Sequence, residues 1–288
     1  MVKLVFRISP IVNLYYHLER GGLSKRYLYA PVAEYRNKVL EITDRALLDG
    51  FSFILDQENV HSLIVSAIGN SSIMVEAKEN LARALDAWAN RLSEIMDKSW
   101  SSYIQYFGAN VRPNLEEFVR KLEQLAPEIE ERLIRTENLL GLRWRKNYVV
   151  YIVEPTSLGF KPCGDVIYGE GAAVEAHLHL ARSEIVDLVI HELSHSTFDL
   201  AILDLMPEKL RTDYEYIDEA IIFLITATAL EHLTMPSKIE ECVDERSRKV
   251  ASYAIPFWKA WQERLASSGE RHAFEDFLKG LLEGEASN

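Results

Sequence analysis

The spacing of hydrophobic residues predicts helices through most of the first half of the chain. Apolar residues recur at intervals of three and four, the period of one helix face, over 27–48, 73–96 and 114–140. In the third stretch Asn114 is a suitable N-cap, Pro127 is expected to break or kink the helix, and Gly141 is expected to end it. We interpret this half as a packed helical scaffold, because amphipathic helices with charged outer faces usually have only that role.

Strand patterns are fewer and shorter than the helical ones. Residues 2–8 alternate apolar and polar side chains, and 148–154 form a β-branched and aromatic run that stops at Pro155. Over 173–181 apolar side chains alternate with polar ones, which predicts an exposed or edge strand. The predicted fold class is therefore α+β, predominantly helical, with a small sheet.

Composition limits both the number of domains and the partners. The 288 residues contain no internal repeat or long Gly/Ser/Pro linker. The boundary that we place between a mainly helical region, 1–145, and a second region, 146–288, is therefore soft, and a single domain also fits. With 32 basic and 44 acidic residues the net charge is −12, which argues against nucleic acid or an anionic membrane as a partner. Two cysteines are too few for a disulfide framework, and no export signal is seen, so we expect a cytoplasmic protein.

The informative chemistry lies in a helix that is predicted to follow Ser183. His191 and His195 are four residues apart, so both imidazoles project from one helix face and can reach one metal ion. Glu192 is displaced around the helix from that face, which is the position expected for a base that acts on a metal-activated water. The preceding residues are strongly apolar, so the helix is expected to be buried and its histidines need partners. Two core histidines satisfied by ordinary hydrogen bonds are the alternative.

A catalytic zinc has three protein ligands and an open position, so one more ligand is expected downstream. In one known arrangement the third ligand is a histidine six residues after the second histidine. Position 201 of this chain is Ala, so this arrangement is excluded. The segment 214–230 is apolar almost all round after its first turn, which predicts a central helix. Glu219 at its entrance would be costly as an unpaired carboxylate and is the preferred ligand, with Glu215 as its competitor. Asp218 is expected to point away. The remaining alternative is that the acid at this position has a purely structural role and binds no metal.

Over residues 148–232 the sequence resembles the gluzincin family of zinc metallopeptidases, in which a His-Glu-x-x-His helix precedes a helix that carries a glutamate ligand. The resemblance implies a zincin-like fold with the small sheet beside the zinc-binding helix. It implies His191, His195 and Glu219 as ligands of Zn²⁺ and Glu192 as the general base. The strand over 173–181 would then pair with a peptide or protein substrate. The chain lacks the Gly-x-Met-Glu-Asn segment of aminopeptidases in this class, so an exopeptidase is not favoured.

Other side chains are candidates for supporting roles. Asp187 and Asp199 each lie four residues from a ligand histidine and are able to orient it, although exposed acids at helix ends are more common. His177 and His179 are weighed as a second metal site, but a cleft-lining or solvated role is preferred. The residue that stabilises an oxyanion is left open among Tyr168, Tyr214, Tyr216, His232 and Tyr253.

The sequence thus predicts a zinc-dependent peptidase. A non-catalytic metal-binding interaction protein with a zincin-like fold and another zinc-dependent amide hydrolase are the alternatives. An intact Glu192 argues against the first alternative, because a structural zinc needs no base. Substrate specificity and oligomeric state are not predicted.

Overall fold

A computed structural model describes residues 2–21, 60–84, 86–155, 164–167, 171–230, 245–267 and 274–287, and it is mostly helical with a small sheet, as predicted. The predicted helix over 27–48 lies outside these residues. The elements in chain order are β1 (Lys3–Arg7), α1 (Pro10–Gly21), α2 (Val60–Gly69), α3 (Met74–Ala84), α4 (Asp86–Tyr106), α5 (Arg112–Leu140), β2 (Asn147–Val153), β3 (Gly164–Ile167), β4 (Gly171–Glu175), α6 (Arg182–Leu205), α7 (Tyr214–Ala229), α8 (Glu245–Ser267) and α9 (Phe274–Ser287).

The sheet has the strand order β1-β2-β4-β3. β2 and β4 are parallel, with Val149 opposite Gly171 and Val153 opposite Glu175, and β3 runs antiparallel to β4. Gly171 permits this close pairing, because a Cβ at this position would lie 1.8 Å from the Val149 carbonyl oxygen.

The prediction of an exposed or edge strand over 173–181 is wrong. The strand ends at Glu175, all of its residues are buried, and it lies between β2 and β3. Two of the polar residues of the predicted strand do not face solvent, because the Glu175 carboxylate lies 2.7 Å from Nε2 of His177 and both side chains are buried, whereas His179 is exposed. Alternation of polar and apolar residues indicates an exposed face only when the polar side chains are not paired with each other.

The first half contains the predicted helices, with different boundaries. The stretch 73–96 falls in two helices, α3 and α4. Asn114 is not an N-cap, because α5 starts at Arg112 directly after a π-helical turn, Phe107–Val111. α5 continues through Pro127, so the proline does not break it. Gly141 ends the helix as predicted, with φ 69° and its N–H donated to the Glu137 carbonyl.

The chain divides into two compact units, each made of more than one segment. One unit comprises 1–4, 126–148 and 183–288, and the other comprises 5–125 and 149–182. Because both units draw on the two regions predicted from the sequence, the boundary near residue 145 stays a prediction.

In the second unit, a buried polar network joins α1 and α4 to the end of β2. Asn13 accepts a hydrogen bond from the Glu154 N–H (2.9 Å) and donates one to the Ile152 carbonyl (3.0 Å). The Glu154 carboxylate lies 3.1 Å from His17 Nδ1 and accepts a hydrogen bond of 2.5 Å from the Tyr106 hydroxyl. Both carboxylate oxygens are therefore partnered.

In the first unit, two contacts anchor α6. One is with the segment before β2, and the other is with the start of β2. The Trp144 ring packs edge-on against Phe198, with centroids 4.9 Å apart. The Tyr148 hydroxyl lies 2.7 Å from the Thr197 hydroxyl. Since Thr197 is two residues after His195, these contacts set the rotation of the helix that carries both histidines.

α7 is the central helix that the sequence predicts, with almost every residue after its first turn buried. Asp213, just before it, accepts hydrogen bonds from Lys249 (2.5 Å) and Tyr253 (2.7 Å) of α8. Between α8 and α9 the buried Trp261 packs on the rings of Phe274 and Phe277. None of the described helices has the length and apolar character that crossing a membrane requires.

Candidate metal centre

The two histidines of the motif lie on the only stripe of α6 that is not fully buried between residues 185 and 196. Asp187, His191 and His195, each four residues from the next, form this stripe. Positions four apart stack on one face of a helix, so the predicted shared face is confirmed. The imidazole centroids of His191 and His195 are 4.8 Å apart, and the two rings are close to perpendicular.

Glu219 of α7 completes a cluster of three donors with these histidines. Nε2 of His191 and Nε2 of His195 are 3.2 Å apart. The two oxygens of Glu219 lie 3.4 Å from His191 Nε2 and 3.2 Å from His195 Nε2. Donors held at about 2.0–2.1 Å from one tetrahedral zinc are about 3.3 Å apart. Each of the three separations has this size, although the two carboxylate distances involve different oxygens of Glu219. The cluster is thus a candidate metal site with the donor set expected from the sequence, His191, His195 and Glu219.

Two buried carboxylates set the tautomer of His195. Its Nδ1 lies 2.9 Å from Asp199 Oδ1 and 3.2 Å from Asp218 Oδ2. Ionised carboxylates only accept hydrogen bonds, so Nδ1 carries a proton and Nε2 is left for the cluster. A protonated outer nitrogen with a free inner one is the arrangement of a metal-binding histidine.

The pKa values of the donors show how strongly the cluster attracts positive charge. Burial lowers the pKa of His191, but the charge and hydrogen bond of Glu219 outweigh it, so that this pKa is raised. Burial also lowers the pKa of His195, and hydrogen bonds to three carboxylates raise it well above its ordinary value. Burial raises the pKa of Glu219, but the two imidazoles hold it well below its usual range. Three converging acceptors need protons or a metal cation, and the donor chemistry fits a cation.

Asp218 was predicted to point away, and this prediction is wrong. Its side chain is buried and faces the edge of His195 opposite to the one that Glu219 faces. Two consecutive residues of α7 are able to contact the same histidine because the two imidazole nitrogens lie on different edges of the ring. Burial raises the pKa of Asp218 to about 6. The orienting role considered for Asp199 fits its position, since it is buried and hydrogen-bonded to His195.

The remaining candidates have varied positions. Glu215, the competing ligand, is exposed and is not part of the cluster. Glu192 is 8% exposed, and its negative charge contributes to raising the pKa of His191, so it lies near the cluster. Its action as a base stays a prediction. His177 is hydrogen-bonded to Glu175, and its ring centroid is 5.4 Å from that of His179.

Two of the hydroxyl groups proposed as oxyanion donors are held in other contacts. Tyr214 donates to the Asp199 carbonyl (3.3 Å), and Tyr253 donates to Asp213. The Tyr216 ring lies under Lys249 Nζ at 4.5 Å. Tyr168 and His232 are outside the described residues. The oxyanion donor therefore remains unassigned.

Fold and site together define a mostly helical protein with a small sheet and a candidate His–His–Glu metal centre. Comparison with protein-family models, with curated proteins and with solved structures gives no match for this chain. The resemblance to gluzincins stays a prediction that rests on the motif residues.

Proposed function

We propose that this protein is a zinc-dependent metallopeptidase of the gluzincin type. The observation that carries the proposal is the convergence of His191, His195 and Glu219, with donor atoms 3.2–3.4 Å apart. A His₂Glu donor set with a fourth position open is the arrangement of catalytic zinc in peptidases. The zincin-like fold is part of the same proposal.

Exposure of the three donor side chains supports a catalytic rather than a structural metal. Their side chains are 15%, 12% and 25% exposed for His191, His195 and Glu219. A structural zinc is closed by four protein ligands, whereas these three leave a side from which water and substrate can approach.

Each residue around the cluster has a defined task in peptide hydrolysis. Zinc, when bound, supplies Lewis acidity that polarises a carbonyl group and lowers the pKa of a water molecule. Glu192 accepts the proton of the attacking water and then donates it to the leaving amine. Asp199 and Asp218 hold the His195 imidazole in its tautomer through Nδ1.

Two other functions use the same cluster. A non-catalytic metal-binding protein needs the three ligands but not Glu192. Another zinc-dependent amide hydrolase needs both and differs only in substrate. The presence of Glu192 next to His191 favours hydrolysis over a purely structural role, because a structural zinc needs no base.

The experiment compares Glu192→Gln with wild type for zinc content and for cleavage of a diverse peptide mixture. Gln keeps the size of the side chain and removes the proton acceptor, so zinc content and thermal stability should stay near wild type. Cleavage should fall by about 10²-fold or more, as is typical on loss of a general base. Glu215→Gln, which neutralises an exposed carboxylate on α7, is the control and should cleave as wild type does.

Two results would overturn the proposal. One is a wild-type protein that holds zinc but cleaves no peptide in the mixture, which favours the metal-binding protein or the amide hydrolase. The other is a Glu192→Gln variant that cleaves as well as wild type.

A further inference from the structure

The two histidines of the cluster are oriented by different means. His195 is held through Nδ1 by Asp199 and Asp218. In the part of the chain that the structure describes, all polar contacts of His191 are made through Nε2, to His195 and Glu219. The His191 ring also lies against the ring of Phe223, with centroids 5.2 Å apart and planes inclined by 58°. His191 therefore has an aromatic contact in addition to the cluster, whereas His195 has two carboxylates.

The position of Phe223 on α7 sets it apart from the core residues of that helix. Between residues 217 and 229 only Glu219 and Phe223 are not fully buried. They are four residues apart, so they share one face of the helix. Phe223 thus lies beside the metal ligand Glu219 and against the metal ligand His191, at the side of the cluster that solvent reaches.

We propose that Phe223 is the positioning residue for His191, holding the imidazole at the angle that directs Nε2 to the metal. The inference rests on the proposed function, since it requires a metal at the cluster. Phe223 has no donor atom and does not coordinate. Its ring instead limits rotation of the imidazole, whose Nδ1 has no hydrogen bond to any of the described residues. Loss of the ring leaves all three ligands in the chain but allows His191 to turn away from the metal.

The test measures how fast zinc leaves the loaded protein when an excess of a chromogenic chelator is added. Phe223→Ala should release zinc about 10-fold faster than wild type, the lower end of the effect seen on loss of a group that orients a ligand. Phe223→Tyr keeps the ring and should release zinc at nearly the wild-type rate. Phe223→Leu keeps most of the apolar volume without the ring, should also release zinc faster, and serves as the test if the alanine variant does not fold.

Phe277→Ala is the matched control. Phe277 is also a half-buried phenylalanine in contact with an aromatic residue, Trp261, but it has no contact with the metal donors among the described residues. It should lower stability without changing the rate of zinc release. As a second measurement, the visible absorption of the Co²⁺-substituted proteins reports coordination geometry, and it should change for Phe223→Ala and not for Phe223→Tyr or Phe277→Ala.

The outcomes separate this inference from the proposed function. A wild-type protein that binds neither Zn²⁺ nor Co²⁺ overturns both. A wild-type protein that holds zinc, together with a Phe223→Ala variant that has the same release rate and Co²⁺ spectrum, overturns the positioning role alone. Equal acceleration by Phe223→Ala and Phe277→Ala also overturns it, because the effect would then be general destabilisation.

Discussion

Replacing Asp218 with Asn should make the metal-free protein more stable and the metal less tightly bound. Asp218 is 6% exposed, and its Oδ1 has no hydrogen-bond partner among the described residues. Burial, with the nearby charges of Asp199 and Glu219, raises its pKa from 3.8 to about 6. A raised carboxyl pKa contributes stability at low pH that is lost as the pH rises through the folded value. Each pKa unit corresponds to about 1.4 kcal/mol, so the ionised group costs up to about 3 kcal/mol at pH 8.

Asn has the same shape as Asp and carries no charge, so it removes that cost. The free energy of unfolding of the metal-free Asp218→Asn variant at pH 8 should exceed that of wild type by about 1–3 kcal/mol, and the gain should shrink as the pH falls towards 4. Zinc affinity should fall by about 10-fold, because a neutral carbonyl supports the Nδ1–H of His195 less well than a carboxylate does. Asp199 stays in place, which keeps the loss at the lower end of the usual range.

Urea denaturation in the presence of a chelator measures the first effect, and competition with a chromogenic chelator measures the second. Asp204→Asn is the control, since Asp204 is an exposed carboxylate on the same helix as His195 and should change neither quantity appreciably. The reasoning is refuted if Asp218→Asn destabilises the metal-free protein at pH 8, or if the variant binds zinc as tightly as wild type.

Three further predictions concern the cluster and the core. Glu219→Gln should lower zinc affinity far more than Glu215→Gln in chelator competition, because only Glu219 lies with the histidines; the opposite order would contradict the ligand assignment. The raised pKa values of His191 and His195 give stability that is present below the ordinary histidine value and lost as the pH rises through the folded values. In thermal scans, the stability of the chelator-treated protein should therefore fall as the pH rises and the two histidines lose their protons. The zinc-loaded protein should not show this loss. Trp261→Ala, at a residue with no exposed area, should cost about 3–5 kcal/mol in urea denaturation.

The sequence by itself determined the parts of the site that depend on local geometry. His191 and His195 share a face because four residues make about one turn of any α-helix, whatever surrounds it. Glu219 could be picked out as a ligand because it is a charged residue at the start of a segment that is otherwise almost entirely apolar. The helix α5 was predicted from its hydrophobic period, β2 from a β-branched and aromatic run, and α7 from a segment that is apolar almost all round; all three patterns are local.

The tertiary structure decided what depends on how elements approach each other. Asp218 contacts His195 because of the way α7 is rotated about its axis relative to α6. The spacing of residues within α7 does not predict that rotation. Phe223 has the sequence environment of a core residue, and only the tertiary structure shows its partial exposure and its contact with His191. The position of β4 inside the sheet depends on pairing with β3, a strand of only four residues whose pattern is too short to predict. Local periods are encoded in neighbouring residues, whereas the partner of each buried polar group is chosen by packing between distant segments.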